Sequence, residues 1–171
     1  PAPVQAPAVP AAPVAIPGAP QAAAPSPTPT PTARKPQEPP RFLSAVEQHL
    51  WTLTNQQRKE QGVPELVANE QLCQVARKHA ARMAALGTLD HTLDGITFDK
   101  RIEATGYRCS AAGENISNAP SAELSLAGWM KSPGHRGNIM SPGYTEVGVA
   151  TATSANDRRY WVQVFATPAN Q

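Results

Sequence analysis

Apolar residues recur at helical spacing at the start of the region beyond residue 41. Over residues 42–61 they are separated by three and four positions, as in an amphipathic helix that buries one face. Gly62 and Pro64 follow directly and favour the end of that helix. The apolar positions are Leu43, Val46, Leu50 and Leu53.

Three further helices are predicted from residues that cap helices and from the apolar faces that follow them. They run from Asn69 to Gly87, from Thr97 to Gly106 and from Ser121 to the Ser132-Pro133-Gly134 stop. His79 lies on the apolar face of the second of the four predicted helices. We interpret it as a core histidine whose ring is satisfied by hydrogen bonds.

The pattern changes to alternation near the end of the chain. Residues 145–153 and 158–167 are rich in valine and aromatic residues, and Asn156-Asp157 separates them. This arrangement predicts an antiparallel hairpin. Helices followed by a terminal hairpin indicate an α+β domain, or a three-layer one, over residues 41–171. The Gly113–Ile116 segment and residues 135–143 are predicted to be irregular backbone.

Residues 1–40 have a different composition. They hold 14 of the 19 prolines, many alanines and no aromatic residue. Dense proline favours polyproline II backbone without a packed core, so we predict a disordered, semi-rigid linker. Sharper alternatives are a stalk crossing a cell wall, an O-glycosylated Thr-Pro tract or a ligand for proline-binding modules.

Charge and composition exclude several classes of function. The net charge is +2, from 15 basic and 13 acidic residues, which favours neither nucleic acid nor an anionic membrane as a partner. No apolar run approaches the ~20 residues of a transmembrane segment. The His-Glu-x-x-His, Gly-x-Ser-x-Gly and phosphate-binding glycine motifs are all missing. We expect a monomer.

The chain has two cysteines, Cys73 and Cys109. They are either two buried thiols or one disulfide, and a single pair cannot form a four-ligand zinc site. A disulfide suits an exported protein, and we predict that one forms. Export to the cell envelope, the periplasm or the medium is inferred from these cysteines and the proline-rich segment.

A group of polar side chains between residues 91 and 146 is the candidate site. His91, Glu114 and His135 are predicted to converge in one cleft, with Glu146 as a second carboxylate. Two imidazoles and a carboxylate could hold a divalent cation with one open position, or could act in acid–base chemistry without metal. Alternatively, they only hydrogen-bond each other. The expected loop-stabilising residues are Asn115, Arg136 and Asn138.

An ordered series of motifs across residues 42–167 resembles the CAP superfamily of cysteine-rich secretory, antigen 5 and pathogenesis-related 1 proteins, and most of all its bacterial branch. The series comprises Asn55-x-x-Arg58, Asn69-x-x-Leu72, Leu89-Asp-His91, Asp94-Gly95, Arg101-Ile102, Gly106-Tyr107, Gly113-Glu-Asn-Ile116, Trp129-Met-x-Ser-Pro-Gly-His-Arg136-x-Asn138-Ile139 and Tyr144-Thr-Glu-Val-Gly148.

The resemblance implies an α-β-α sandwich, an extracellular location and a cleft in which two histidines and two acids bind a divalent cation, often zinc. His91 and Glu114 match the first histidine and the acid of the Gly-Glu-Asn motif. The usual position of the second acid is Ser132 here, and the second histidine comes earlier in the chain. We therefore expect His135 and Glu146 to complete the set.

Three functions follow as hypotheses. The first is a secreted, non-enzymatic binding module whose cleft takes a lipid, sterol or cell-wall glycan with the help of a cation. The second is a metal-dependent hydrolase in which Glu114 or Glu146 acts as base. The third is a structural protein of the envelope in which the polar cluster is only scaffolding. The fold alone does not decide among them.

Overall fold

A computed structural model describes residues 40–169 of the chain. Residues 1–39 and 170–171 lie outside the described region, and so does nearly all of the predicted linker. The helices and strands of residues 40–169 are α1 Ala45–Glu60, β1 Val67–Ala68, α2 Glu70–Leu86, α3 Phe98–Glu103, β2 Cys109–Ser117, α4 Ala122–Lys131, α5 Pro133–Met140, β3 Glu146–Thr153 and β4 Arg159–Pro168.

Local sequence signals determine the ends of the two long helices. Ser44 and Glu47 form a reciprocal capping box that satisfies backbone donors at the start of α1. Asn69 accepts a hydrogen bond from the backbone of Leu72 and caps α2, which ends at the left-handed Gly87 (φ 67°). Both helices are thereby confirmed.

The four strands form one sheet in the order β1-β3-β4-β2. The predicted hairpin is confirmed, because β3 and β4 pair as antiparallel neighbours; β2 adds antiparallel to β4, and β1 adds parallel to β3. Along β4, Trp161 and Phe165 belong to one buried cluster, whereas Tyr160, Val162 and Val164 belong to another. Because successive strand residues face opposite sides, the sheet has a core on each face. The α-β-α sandwich is therefore confirmed.

Helix α2 lies unusually close to the sheet at Gly148 of β3. A Cβ atom added to this glycine would come within 2.1 Å of the carbonyl carbon of Leu72. The absence of a side chain therefore lets the α2 backbone rest on the strand itself.

A buried arginine joins α1 to the chain that follows α5. Arg58 has no exposed surface and donates four hydrogen bonds to backbone carbonyls. They are made to Pro64 (2.7 Å), Ile139 (2.7 Å), Ser141 (2.9 Å) and Tyr144 (3.2 Å). One side chain thus fixes the end of α5 and the approach to β3.

Two predicted features of the backbone are wrong, and one strand was missed. The Gly113–Ile116 segment is not irregular but lies in β2, because β4 supplies a complete antiparallel partner along it. Most of residues 135–143 is not a loop but belongs to α5, which begins with proline at its first position. The short strand β1 was not predicted, since two residues that pair with a distant strand leave no local pattern.

The predicted Cys73–Cys109 disulfide is also wrong, because both cysteines of the described chain are free thiols. Cys73 is buried in the cluster that includes Val149, whose backbone amide donates to its sulfur at 3.4 Å. Cys109 packs against the other cluster. Burial raises the pKa of the Cys73 thiol to about 11, so this sulfur stays protonated.

Candidate functional site

Glu114 is the centre of the polar cluster. It lies on β2, and its side chain has no exposed surface. Its Oε2 accepts a hydrogen bond from Arg101 at 2.6 Å, and its Oε1 lies 2.9 Å from Nδ1 of His91. A buried carboxylate is stable only when such partners replace its lost hydration. The structure therefore brings His91 and Glu114 together, as the sequence led us to expect.

His91 presents this cluster to solvent. Its side chain is 47% exposed, and it lies in the turn between α2 and α3. Asp94 (φ 54°) and Gly95 (φ 73°) give that turn its left-handed backbone. Because a carboxylate accepts at Nδ1, the proton of the neutral ring is on that nitrogen, and Nε2 is left as the acceptor.

His79 lies behind this pair and is confirmed as a core histidine. It is almost fully buried, and its Nε2 lies 2.9 Å from the carbonyl oxygen of Asp90 and 3.9 Å from Oε1 of Glu114. Since a carbonyl only accepts, Nε2 carries a proton. Burial lowers the pKa of His79, which keeps the ring neutral.

Arg101 is the functional residue whose role the sequence reasoning missed. Its Nη1 donates to the carbonyls of His91 (2.9 Å) and Ile96 (3.0 Å), while its Nη2 binds Glu114. One guanidinium thus joins α3, the histidine turn and the buried carboxylate. The one signal in the sequence was Glu114 itself, since an acid that becomes buried requires a cation nearby.

The free edge of β2 is covered by side chains. The carbonyl of Ala112 accepts from the Tyr144 hydroxyl at 3.0 Å, and that of Glu114 accepts from Asn138 Nδ2 at 3.3 Å. The carbonyl of Ile116 accepts from the Trp129 indole at 2.9 Å. Asn138 thus joins α5 to β2, and the loop-scaffold role predicted for it stays a prediction.

Asn115 continues this scaffold into the core. Its Oδ1 accepts from Asn138 at 2.9 Å, and its Nδ2 donates to the carbonyl of His135 and to Oε1 of Gln163, both at 3.2 Å. Gln163 in turn donates to Thr54 of α1 at 2.7 Å. This chain of amides joins α5 to the sheet and to α1, and the loop-stabilising role predicted for Asn115 stays a prediction.

The other predicted site residues are placed differently. His135 is half-buried, and burial and, to a smaller extent, the charge of His91 lower its pKa. Glu146 instead accepts from Asn69 (2.8 Å) and from the Tyr107 hydroxyl (2.7 Å) at the start of β3. Arg136 is exposed on α5, and its predicted scaffold role stays a prediction.

A cleft of about 440 Å³ opens beside Glu114, between the histidine turn, α3 and β2. This size is ordinary for a small-molecule site. Six of its nine lining residues have a hydroxyl, carboxylate, imidazole or amide group and one is aromatic, while apolar atoms form the larger share of the exposed wall. The lining residues are His91, Thr92, Thr97, Phe98, Asp99, Ala112, Gly113, Glu114 and Asn138.

The predicted metal ligands do not form one coordination shell. Across residues 40–169, no group of three or more histidine, cysteine or acidic residues is arranged to hold an ion. Both oxygens of Glu114 already have partners, Nδ1 of His91 is one of them, and Glu146 has two others. The donor set therefore does not fit a zinc ion in this arrangement, and the four-residue metal site stays a prediction.

Comparison with known proteins gives the relationship. Residues 51–165 match the family model described as CAP, the cysteine-rich secretory protein family. The chain belongs to this CAP family. It is 34% identical over 129 residues to the protein YkwD of Bacillus subtilis, covering 74% of this chain and 49% of YkwD. The CAP domain described here thus spans about half the length of that relative.

Solved structures agree with the fold. An extracellular protein containing an SCP domain from Bacillus anthracis superposes with a TM-score of 0.64 at 27% identity, covering 71% of this chain and 40% of the other. An outer surface protein of Borrelia burgdorferi gives 0.67 at 20% identity, covering 71% and 91%. In the described part of the CAP chain, no helix has the length and apolarity required to span a bilayer.

Proposed function

We propose that this CAP protein is secreted and that its cleft binds a glycan of the cell envelope. The observation that carries the proposal is the mixed wall of the cleft, in which six residues with polar side chains accompany apolar surface and a single aromatic ring. Sugars are held by hydroxyl, amide and carboxylate groups, with an aromatic ring contacting their apolar faces. The extracellular B. anthracis relative supports the secreted location.

The chemistry of the cleft favours a glycan over a lipid or sterol. Thr92, Thr97, Asp99 and Asn138 contribute polar groups to the wall, whereas Phe98 is its one large apolar side chain. Burying a hydrocarbon chain against these groups would remove water from them without replacing their hydrogen bonds. A sugar can replace those bonds.

The same geometry favours binding over hydrolysis. A general base needs a free oxygen within reach of the proton that it removes. Glu114 has no exposed surface, and both of its oxygens are engaged by Arg101 and His91. We therefore propose a binding module, in which Glu114 orients His91 and the exposed Nε2 of His91 meets the ligand.

Co-sedimentation of the full chain with purified peptidoglycan tests the proposal. We expect the wild-type protein to bind peptidoglycan. The affinity should fall at least tenfold in Phe98→Ala and in His91→Ala. His49→Ala is the matched control, because His49 is an exposed histidine that pairs with Glu123 outside the cleft. Binding to the control should equal that of wild type.

Phospholipid vesicles of phosphatidylcholine and phosphatidylglycerol form the second arm of the experiment. Binding to vesicles that is lost in Phe98→Ala would show a lipid ligand and refute the glycan assignment. Equal peptidoglycan binding by wild type and both cleft variants would show that the cleft is not the binding site.

A further inference from the structure

The negative charge of Glu114 is compensated by a side chain of the protein itself, which distinguishes this cleft from a metal site. Three basic side chains lie near the carboxylate: Arg101 at 2.6 Å, His91 at 2.9 Å and His79 at 3.9 Å. Only Arg101 is charged at every accessible pH. His79 is held neutral in the core, where its Nε2–H is directed to the Asp90 carbonyl. The compensating charge is therefore a guanidinium.

Arg101 is also fixed in position by contacts other than Glu114. Its Nη1 binds the carbonyls of His91 and Ile96, and its side chain is only 13% exposed. A planar guanidinium held at both ends is preorganised, so it loses little entropy in binding the carboxylate. A divalent cation would have to displace it.

Beside Glu114, the predicted ligands left for a cation are Nε2 of His91 and the ring of His135, one fewer than the three protein ligands usual for zinc. Zinc binds carboxylate oxygen at ~2.0–2.2 Å, yet Oε2 of Glu114 already has a guanidinium nitrogen at 2.6 Å. His91 uses Nδ1 for the same carboxylate, which leaves Nε2 as its one donor to an ion. Glu146 is bound to Asn69 and Tyr107 instead.

We infer that Arg101 is the built-in counter-ion of Glu114 and takes the place that a divalent cation would occupy, so that the cleft is assembled without metal. This inference is independent of the glycan proposal, because it concerns how the empty cleft is held together. Removing the guanidinium should leave a buried carboxylate with His91 as its one remaining hydrogen-bond partner, and that group should then accept a cation.

Thermal unfolding of the full chain, with and without zinc chloride after treatment with a chelator, tests the inference. We expect the Tm of wild type to be unchanged by zinc. Arg101→Met, which keeps most of the side-chain length, should unfold several degrees lower, and zinc should restore part of the loss. The double variant Arg101→Met/Glu114→Gln has no carboxylate to pair, so zinc should not affect its Tm. Arg82→Met is the matched control, because Arg82 pairs with Asp94 on the surface.

The inference is overturned if zinc raises the Tm of wild type and this rise is lost in Glu114→Gln. It is equally overturned if Arg101→Met unfolds at the wild-type temperature or is unaffected by zinc. Should Arg101→Met fail to fold, zinc titration of wild type and of Glu114→Gln by calorimetry decides. Binding to wild type that requires Glu114 refutes the inference, whereas no binding to wild type supports it.

Discussion

Replacing Arg58 with methionine should destabilise the protein severely, because four backbone carbonyls lose their donor at once. The bond to Ile139 is buried, and the other three are partly buried. Four fully buried, charge-assisted bonds would contribute ~6 kcal/mol, and access of water to the three partly buried carbonyls reduces the expected loss to about 4 kcal/mol. That is a large share of the ~5–15 kcal/mol by which domains are stable.

Equilibrium unfolding in urea, followed by tryptophan fluorescence, measures this loss directly, since Trp51, Trp129 and Trp161 are buried. Arg58→Lys should recover little, because a single ammonium group cannot reach all of the carbonyls spread around the edge of the planar guanidinium. The control Arg82→Met removes an exposed arginine and should leave the midpoint unchanged. A loss below ~1 kcal/mol for Arg58→Met would refute the assignment of Arg58 as the anchor of α5.

Three further changes test the packing, the strand edge and the buried histidine. Gly148→Ala should cost ~3 kcal/mol or more in urea unfolding, or prevent folding, because its Cβ would overlap the α2 backbone, whereas Gly128→Ala in α4 meets no atom within 4 Å and should be neutral or stabilising. Trp129→Phe should cost about 1–2 kcal/mol in the same assay, since a carbonyl of β2 loses its indole donor; no loss would mean that the edge is satisfied in another way. Because burial lowers the pKa of His79, the unfolded chain binds a proton near pH 6.5 before the folded chain does, so stability should fall as the pH drops below about 6.5. The free energy of unfolding of His79→Gln should fall less than that of wild type between about pH 7 and pH 5. An unchanged pH profile would contradict the reasoning.

The sequence predicted the long helices and the terminal hairpin because their signals are local. Caps, glycine stops and apolar spacing in α1 and α2 all lie within a few residues of the elements that they specify. Helix α5 was missed because Gly134 and Gly137 lower its helix propensity. The Ser132-Pro133 pair, a flanking residue followed by proline at the first helical position, was the signal that could have identified it.

Only part of the site was predicted, because the pairing of its side chains depends on contacts between distant residues. The resemblance led to His91 and Glu114, and the structure puts them in contact. Arg101 was quoted among the matching motifs, but its role depends on a carboxylate 13 positions away in a strand that was not predicted. Glu146 was expected to replace the missing second acid of the ligand set, whereas the structure pairs it with Asn69 and Tyr107. Which side chains pair across such distances in the sequence is decided by the packing of the folded chain.

The covered edge of β2 has a consequence for misfolding. Its nine residues form an outermost strand, which would otherwise offer hydrogen-bonding groups to a strand of another molecule. Trp129, Asn138 and Tyr144, which occupy those groups, come from α4, α5 and the segment after α5. A partial opening that detached these segments while the sheet survived would expose the edge of β2 as a template for aggregation. Resistance to fibre formation in this protein should therefore depend on how firmly two short helices stay docked.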